Sequence, residues 1–333
     1  MPQPAFPLRA LRYAGRQTTE AWHAWFELAK ILVPVSIATK LLKDTGLIEY
    51  LAVPLGPIMR LVGLPADMGL VWATAMVTNL YAAMVVFVEL SENHALTVAQ
   101  VTVLCAMMLV AHSLPVELRI AQKAGARLRA ILALRLIGAL VLGWLLHLVF
   151  SAAHLLQQPN NALWNPPVQS ADWLAWAQGQ ARNLIAIYLI VLCLLIVMDV
   201  LRRTGLADLL TRALAPVLRG LGMSAQAAPL TLIGVLMGIS YGGGLMLREA
   251  RSGTLGRRDV FFAMALMGLA HSIVEDSLLM VLLGGHLGGT LVARFGFALV
   301  VMSILVRALR GVGDSAFERW LTRPKREAAG GVC

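Results

Sequence analysis

The chain has 333 residues, of which 59% are hydrophobic and 14% are charged, whereas soluble domains carry about 25% charged residues. A soluble globular fold is therefore excluded, and several apolar runs reach the roughly 20 residues that a membrane-spanning helix requires. The formal net charge of +10 does not indicate nucleic-acid binding, because the Lys and Arg residues lie at helix ends and in short loops. The composition predicts an all-α polytopic membrane protein in a lipid bilayer.

Eight apolar segments are predicted as membrane segments, with approximate ranges 26–43, 67–90, 97–114, 129–150, 183–201, 228–248, 259–283 and 290–310. Two stretches between them, 48–63 and 206–222, are amphipathic and basic, and both contain Pro. Helices of this kind lie in the membrane interface rather than across the bilayer, so we predict interfacial helices there.

The two halves of the chain are related by an internal duplication at an offset of 159 residues. Apolar residues alone could match by chance, but these matches include His, Ser, Pro and Arg. Duplicated halves are the usual construction of secondary transporters, whose substrate site lies at the repeat interface. The matches are TGL 45–47 with 204–206, Pro57 with Pro216, Arg60 with Arg219, Gly63 with Gly222, Ala111–Ser113 with Ala270–Ser272, and Glu117 with Asp276; Tyr81 and Glu89 match Tyr241 and Glu249 at an offset one residue longer.

This duplication predicts five regions: a basic N-terminal segment 1–25, a first repeat 26–150, a linker 151–182, a second repeat 183–310 and a basic tail 311–333. The linker lacks Lys and Arg up to Ala181, so the positive-inside rule places it on the non-cytoplasmic side. Four full crossings per half would make the repeats parallel. Basic residues near both termini favour cytoplasmic ends instead, which requires inverted repeats and a re-entrant or broken segment in each half.

Two related stretches could offer polar groups to a substrate inside the membrane. Three consecutive glycines interrupt MGISYGGGLMLREA, 237–250, and each Gly in a helix interior is unfavourable by about 1 kcal/mol relative to Ala. An unwound backbone at that depth must face protein or a water-filled cavity, although glycines also permit close helix packing. From this stretch and its counterpart, 76–84, the candidate binding residues are Tyr241, Gly242, Gly243, Gly244, Asn79 and Tyr81.

A second pair of motifs, AHSLPVEL at 111–118 and AHSIVEDSLL at 270–279, places ionisable residues in apolar surroundings. On a continuous helix, His271 with Glu275 and Ser272 with Asp276 would each share a face, because residues four apart are neighbours. In the first copy Pro115 is expected to break or kink the helix. The candidate binding residues are His112, Ser113, His271, Ser272, Glu275 and Asp276.

These side chains allow several kinds of chemistry. The carboxylates could bind a cation or a proton, the histidines could change charge near neutral pH, and together they could ligate a divalent metal. Which metal, if any, stays open. The structural alternative is a polar network that holds helices together, and Glu117, near Arg119, is expected closer to the membrane surface. His286, flanked by glycines, is interpreted as a loop residue.

Signatures of enzymes and cofactors are absent from the sequence. There is no P-loop, G-x-S-x-G or H-E-x-x-H motif, so we predict that the chain is not an enzyme and needs no cofactor. An intramembrane enzyme acting on lipids would rest on the His and acidic residues alone. Cys105, Cys193 and Cys333 form no C-x-x-C pair and indicate neither a disulfide framework nor a zinc site.

The paired TGL…P..R..G helices, the Asn- and Gly-containing broken segments and the AHS-x-x-E/D motifs resemble tandem Gate domains, also called nucleoside-recognition domains. These occur in ferrous iron permeases, concentrative nucleoside transporters and spore maturation membrane proteins, and the resemblance covers 28–150 and 183–310. It implies a transport-related membrane protein. Unlike the iron permeases, this chain has no GTPase P-loop and no matching membrane cysteines, and it lacks the nucleoside transporters' additional hairpin motifs. The family label therefore does not specify a substrate.

The sequence thus predicts a multi-pass permease of the bacterial inner membrane that moves a small polar solute or ion, nucleoside-like or cationic, between its halves. The alternative is a non-transporting scaffold or accessory subunit whose intramembrane polar residues are structural. A homo-oligomer is compatible with either function.

Overall fold

A computed structural model describes residues 6–92, 94–164, 172–238, 248–249 and 255–322. Within these ranges the fold is built from helices without a β-strand, which confirms the predicted all-α class. In the first half the helices are α1 (Phe6–Asp44), α2 (Leu47–Ala52), α3 (Gly56–Leu61), α4 (Met68–Val77), α5 (Leu80–Ser91), α6 (Val98–Val110), α7 (Leu114–Ala124) and α8 (Leu128–Ala152).

In the second half the described helices are α9 (Trp173–Arg203), α10 (Leu206–Gly220), α11 (Ala227–Met237), α12 (Arg257–Leu269), α13 (Glu275–Leu282), α14 (Arg294–Leu309) and α15 (Asp314–Leu321). A π-helical turn, Gly288–Ala293, leads into α14. Four described segments are long and apolar enough to cross a membrane: Val98–Ala124, Leu128–Ala152, Trp173–Arg203 and Gly288–Leu309.

One end of the helix bundle, here called the basic face, gathers the cationic ends of several helices. The backbone N–H of Arg127, before α8, donates to Leu321 O in α15 at 2.8 Å. Arg258, in the first turn of α12, donates to the carbonyl of Leu309 at the end of α14 at 3.0 Å. The start of α8, the start of α12 and the end of α14 therefore lie on the same side.

The opposite end, here called the linker face, is held together by Asn160 in the linker. The backbone N–H of Asn160 donates to Leu96 O, just before α6, at 2.9 Å. Its side-chain amide donates to Leu283 O, just after α13, at 2.9 Å. The start of α6, the end of α8 and the end of α13 therefore meet at this face.

These contacts show that the repeats are inverted. The broken pair α6–α7 runs from the linker face to the basic face, whereas its counterpart α12–α13 runs the other way. Likewise α1 and α9 are antiparallel: Arg16 lies 3.8 Å from Asp199 near one end, and Lys40 lies over the Trp173 ring at the other. The favoured inverted arrangement is confirmed, and the parallel alternative is wrong.

The first half contains a re-entrant helical hairpin formed by α4 and α5. Asp67, before α4, and His94, after α5, are joined at 2.6 Å, so the hairpin enters and leaves at one end. That end is the linker face, because Gln100 in the first turn of α6 donates to Gly63 O at 3.0 Å. The predicted segment 67–90 is therefore a hairpin whose tip is Thr78–Asn79 and not a single crossing.

We expect cysteine labelling to verify this topology. In a chain lacking its three native cysteines, a membrane-impermeant maleimide applied to spheroplasts should label Gln157→Cys and leave Lys123→Cys unlabelled until the membrane is permeabilised. Gln157 and Lys123 are exposed on opposite faces, and the positive-inside rule makes the basic face cytoplasmic. Arg310→Cys decides the repeat orientation: it should behave as Lys123→Cys does, whereas parallel repeats would make it behave as Gln157→Cys does.

Candidate functional site

The candidate site is built where two helices break. In the first repeat α6 ends at Val110 and α7 begins at Leu114, with Pro in its first turn and Ser113 in a left-handed conformation, φ 48°. In the second repeat α12 ends at Leu269 and the helix resumes only at Glu275, and here Ser272 is left-handed, φ 43°. The break expected at Pro115 is confirmed.

Each break leaves backbone carbonyls without intrahelical partners, and polar side chains must satisfy them inside a membrane. In the first repeat, His112 Nδ1 donates to Met108 O at 3.0 Å. Arg135, from α8, donates through Nε to Val110 O at 2.8 Å and through Nη2 to His112 O at 2.9 Å. These donors satisfy the broken end of α6.

The second repeat reproduces the arrangement 159 residues later. His271 Nδ1 donates to Met267 O at 2.8 Å, and Arg294 donates through Nε to Leu269 O at 3.1 Å and through Nη2 to His271 O at 2.9 Å. Arg135 and Arg294 are both fully buried. The internal duplication thus extends to individual hydrogen bonds.

The inverted repeats bring the two histidines face to face. His112 Nε2 and His271 Nε2 lie 3.1 Å apart, and the ring centroids are separated by 4.9 Å. Both residues are buried. A residue from each half therefore meets its own repeat counterpart at the centre of the molecule.

Glu117 completes this group from the first turn of α7. Its Oε1 lies 3.1 Å from His271 Nε2 and 3.4 Å from His112 Nε2, while its Oε2 accepts from Arg135 Nη1 at 2.5 Å. The carboxylate side chain is only 7% exposed. His112, His271 and Glu117 are here called the central triad, and their ligand atoms lie close enough together to hold one metal ion.

The two repeats differ at the acid. Asp276 corresponds to Glu117, yet its Oδ2 is buried without a hydrogen-bond partner among the described residues and lies 3.8 Å from His112 Nε2. Arg294 Nη1, the counterpart of the nitrogen that holds Glu117, is likewise unpartnered within the described parts of the chain. The second repeat therefore contributes a carboxylate whose Oδ2 accepts no hydrogen bond from the described residues, at the edge of the central triad.

The remaining predicted residues differ in position and in the hydrogen bonds that they make. Tyr81 lies in the first turn of α5, and its side chain is half-buried. Asn79 begins α5, and its side-chain oxygen accepts from Ala82 N at 2.9 Å, so this group is used to cap the hairpin. Tyr241, Gly242, Gly243 and Gly244 lie outside the described residues.

Ser113 and Ser272 lie at the two breaks, and the ends of α4 and α11 pack against these breaks. The N–H of Ser113 donates to Ala75 O in α4 at 2.9 Å. In the second repeat, the N–H of Ile273 donates to Val235 O in α11 at 2.9 Å. The hairpin of the first repeat and α11 of the second therefore end beside the triad.

Two expectations about this region were wrong. His271 with Glu275, and Ser272 with Asp276, do not share faces of a continuous helix, because the chain is non-helical between Leu269 and Glu275. The membrane-surface position expected for Glu117 is also wrong, since α7 starts at the central break and only its last turn reaches the basic face.

Sequence reasoning missed Arg135 and Arg294 as parts of the site. Each is a buried Arg within an apolar helix, and charged residues at such depth tend to face an interior or a cavity. Their separation is 159 residues, the same offset as the two histidines. That offset was the signal that could have identified both.

Comparison with known proteins identifies a family for the first repeat. Residues 25–128 match the model of the Gate family, which is described as nucleoside recognition, so the resemblance seen in the motifs is confirmed there. The chain is 28% identical over 274 residues to the "Uncharacterized membrane protein YvoD" of Bacillus subtilis (strain 168). That similarity covers 81% of this chain and 85% of the relative. No solved structure is significantly similar to the chain.

Proposed function

Because the chain carries a Gate domain at residues 25–128, we propose that it is a permease of the bacterial inner membrane and not an enzyme. It moves a small polar solute or ion through a site between its two inverted repeats. The observation that supports this most directly is the central triad, in which buried ionisable groups from both repeats meet at broken helices. Secondary transporters place their sites in this position.

The unpaired acid of the second repeat supports a binding role. A charged group deep in a membrane is expensive, and such groups mark ion and substrate pathways when no structural partner accounts for them. The Oδ2 atom of Asp276 accepts no hydrogen bond from the described residues and lies 3.8 Å from His112 Nε2. In this proposal Glu275 and Asp276 attract the transported species, the central triad holds it, and Tyr81 supplies a hydrogen bond.

In this proposal, the start of α5 and its repeat counterpart form part of the route to the site. Tyr81 and Asn79 lie at the start of α5, and the backbone of Tyr241–Gly244 is the corresponding segment of the second repeat. Rigid-body movement of one repeat element against the other would open the site to each face in turn, as inverted repeats allow.

A scaffold function is favoured by one specific observation. His112, His271, Arg135 and Arg294 satisfy the backbone carbonyls at both helix breaks, which is a sufficient structural reason for these side chains. This explanation does not extend to Asp276, whose Oδ2 has no partner among the described residues. The two functions therefore differ in what they predict for the acids.

Uptake by proteoliposomes separates the two functions. With radiolabelled uridine, Zn²⁺ and Mn²⁺ as probes, we expect accumulation of at least one of them above protein-free vesicles. The double variant Glu275→Ala, Asp276→Ala should lose that uptake. The control is Glu49→Ala, which removes an exposed acid outside the site and should transport normally.

Uptake that is unchanged in the double variant, with normal expression and monodisperse protein, would rule out these carboxylates as transport residues. Absence of uptake for all three probes in the wild-type protein would favour the scaffold.

A further inference from the structure

The central triad presents three lone pairs to one point. A backbone carbonyl can only accept a hydrogen bond, so the contacts with Met108 O and Met267 O require a proton on Nδ1 of both His112 and His271. Each neutral imidazole then has a bare Nε2, and these two atoms face each other and Glu117 Oε1 at 3.1 to 3.4 Å. Three acceptors at such distances repel one another unless a cation lies between them.

We propose that the central triad binds one divalent first-row transition-metal ion through His112 Nε2, His271 Nε2 and Glu117 Oε1. The inference names the cargo of the proposed permease and rests on that function for transport, but not for binding. Binding is measured on the purified protein in the absence of transport, so the two can fail separately.

The separations of the three atoms suit a single ion. Metal–nitrogen and metal–oxygen bonds of about 2.0–2.2 Å in tetrahedral geometry place neighbouring ligand atoms roughly 3.3–3.6 Å apart. The observed separations of 3.1, 3.1 and 3.4 Å lie close to this value. Only small adjustments of the side chains are needed to centre an ion.

A proton would satisfy the triad less completely than a metal ion. One proton bridges two of the three acceptors and leaves the third without a donor. Protonating both imidazoles would place two positive charges side by side next to Arg135, which already contacts Glu117. One dication satisfies all three acceptors at once and leaves both Nδ1–H groups on their carbonyls.

The surroundings of the triad match those of metal-binding histidines. Such histidines almost always donate their other ring N–H to a carbonyl or carboxylate, which fixes the ring and its tautomer. Both histidines do so here, to carbonyls left free by the helix breaks. Glu117 is oriented in turn by Arg135 Nη1 through its second oxygen.

A fourth ligand is within reach in Asp276. Its buried Oδ2 has no partner in the described ranges and lies 3.8 Å from His112 Nε2. Small rotation of this carboxylate would complete a set of two nitrogens and two oxygens. Imidazole and carboxylate ligands suit Zn²⁺, Fe²⁺, Co²⁺ and Mn²⁺, whereas Ca²⁺ and Mg²⁺ prefer oxygen ligands alone.

The chain's described thiols do not take part. Cys105 Sγ lies beside Met280 O, and Cys193 is exposed on α9. The site is therefore expected to lack thiolate ligands and to differ from soft-metal sites that select Cu⁺.

Metal binding to purified protein tests the inference. The full chain, without a polyhistidine tag, is treated with a chelator, reconstituted in nanodiscs and titrated with Zn²⁺ by calorimetry and with Co²⁺ by visible absorption. We expect one ion per chain and a Co²⁺ spectrum of a four-coordinate nitrogen–oxygen site without thiolate charge transfer. His112→Gln and His271→Gln should each weaken Zn²⁺ binding by at least about tenfold.

The matched control is His286→Gln, which alters an exposed histidine beyond the triad and should bind as the wild type does. No stoichiometric Zn²⁺ or Co²⁺ binding by the wild-type protein, or equal affinity in His112→Gln, His271→Gln and wild type, would overturn the proposal. Should a variant fail to fold, the Co²⁺ spectrum of the wild-type protein decides alone, since a hexaaquo-like or thiolate spectrum contradicts the ligand set. Metal binding without Zn²⁺ or Mn²⁺ uptake would keep the site and exclude the metal ion as the transported species.

Discussion

Replacing Arg135 with Met should lower the free energy of unfolding by about 3–5 kcal/mol, the usual cost of removing one partner from a buried ion pair. The guanidinium is fully buried, donates to two carbonyls at the end of α6, and holds Glu117 at 2.5 Å. Met fills similar apolar volume but leaves the carboxylate without its cation. Reversible unfolding of the detergent-solubilised protein in SDS would measure the loss.

Its repeat counterpart provides the matched control. Arg294→Met removes the equivalent hydrogen bonds, from Arg294 to the carbonyls of Leu269 and His271. However, no acid among the described residues accepts a hydrogen bond from Arg294 Nη1. The expected loss is therefore smaller, about 1–3 kcal/mol. Adding Glu117→Gln to Arg135→Met should recover part of the stability, because the unpaired charge is removed. Equal losses in the two Arg variants, or no recovery in the double variant, would contradict the role assigned to the Arg135–Glu117 pair.

The meeting of the two histidines could be predicted in outline from the sequence. A duplicated chain places equivalent residues about a common axis, and secondary transporters bind substrate at the repeat interface, so the AHS motifs at 111–113 and 270–272 can be placed near that interface from the sequence. The basic termini and the linker, which lacks Lys and Arg up to Ala181, likewise predicted inverted repeats, which the contacts of Arg127, Arg258 and Asn160 confirm.

The helix break in the second repeat could not be predicted from local sequence. Pro115 predicts the break in the first copy, but AHSIVEDSLL contains no Pro or Gly, so its sequence predicts a continuous helix. The break forms because tertiary contacts replace the lost helical hydrogen bonds. Arg294 donates to the carbonyls of Leu269 and His271, and the N–H of Ile273 donates to Val235 O. Helix propensity is a weak prior that such contacts override.

The depth of Glu117 in the membrane could not be predicted from its neighbours in the sequence. Arg119 and Lys123 lie near it in the chain, and basic residues indicate the membrane surface. A helix rises 1.5 Å per residue, so α7, with 11 residues, extends roughly 16 Å from the central break to the basic face. Glu117 in its first turn and Lys123 in its last turn therefore occupy different environments.

Asp276→Asn should have opposite effects on two properties: it should stabilise the protein and weaken Zn²⁺ binding. Its effect on stability is opposite to that of Arg135→Met. Because the Oδ2 atom of Asp276 is buried without a described partner, removing the charge should raise the free energy of unfolding, by about 1–3 kcal/mol. The same change should reduce Zn²⁺ affinity and any Zn²⁺ uptake roughly 10- to 100-fold, because an amide oxygen is a weaker ligand than a carboxylate.

The control for this variant is Asp314→Asn. Asp314 lies 3.0 Å from Arg258, but its side chain is 86% exposed, and exposed pairs contribute about 0–1 kcal/mol. It should leave stability, metal binding and uptake close to wild type. A purely structural Asp276 would give the reverse result, with stability lost and binding unchanged. A carboxylate that destabilises the ligand-free protein and strengthens ligand binding is expected at a site where stability is exchanged for binding. Asp276, in the second repeat, is such a carboxylate.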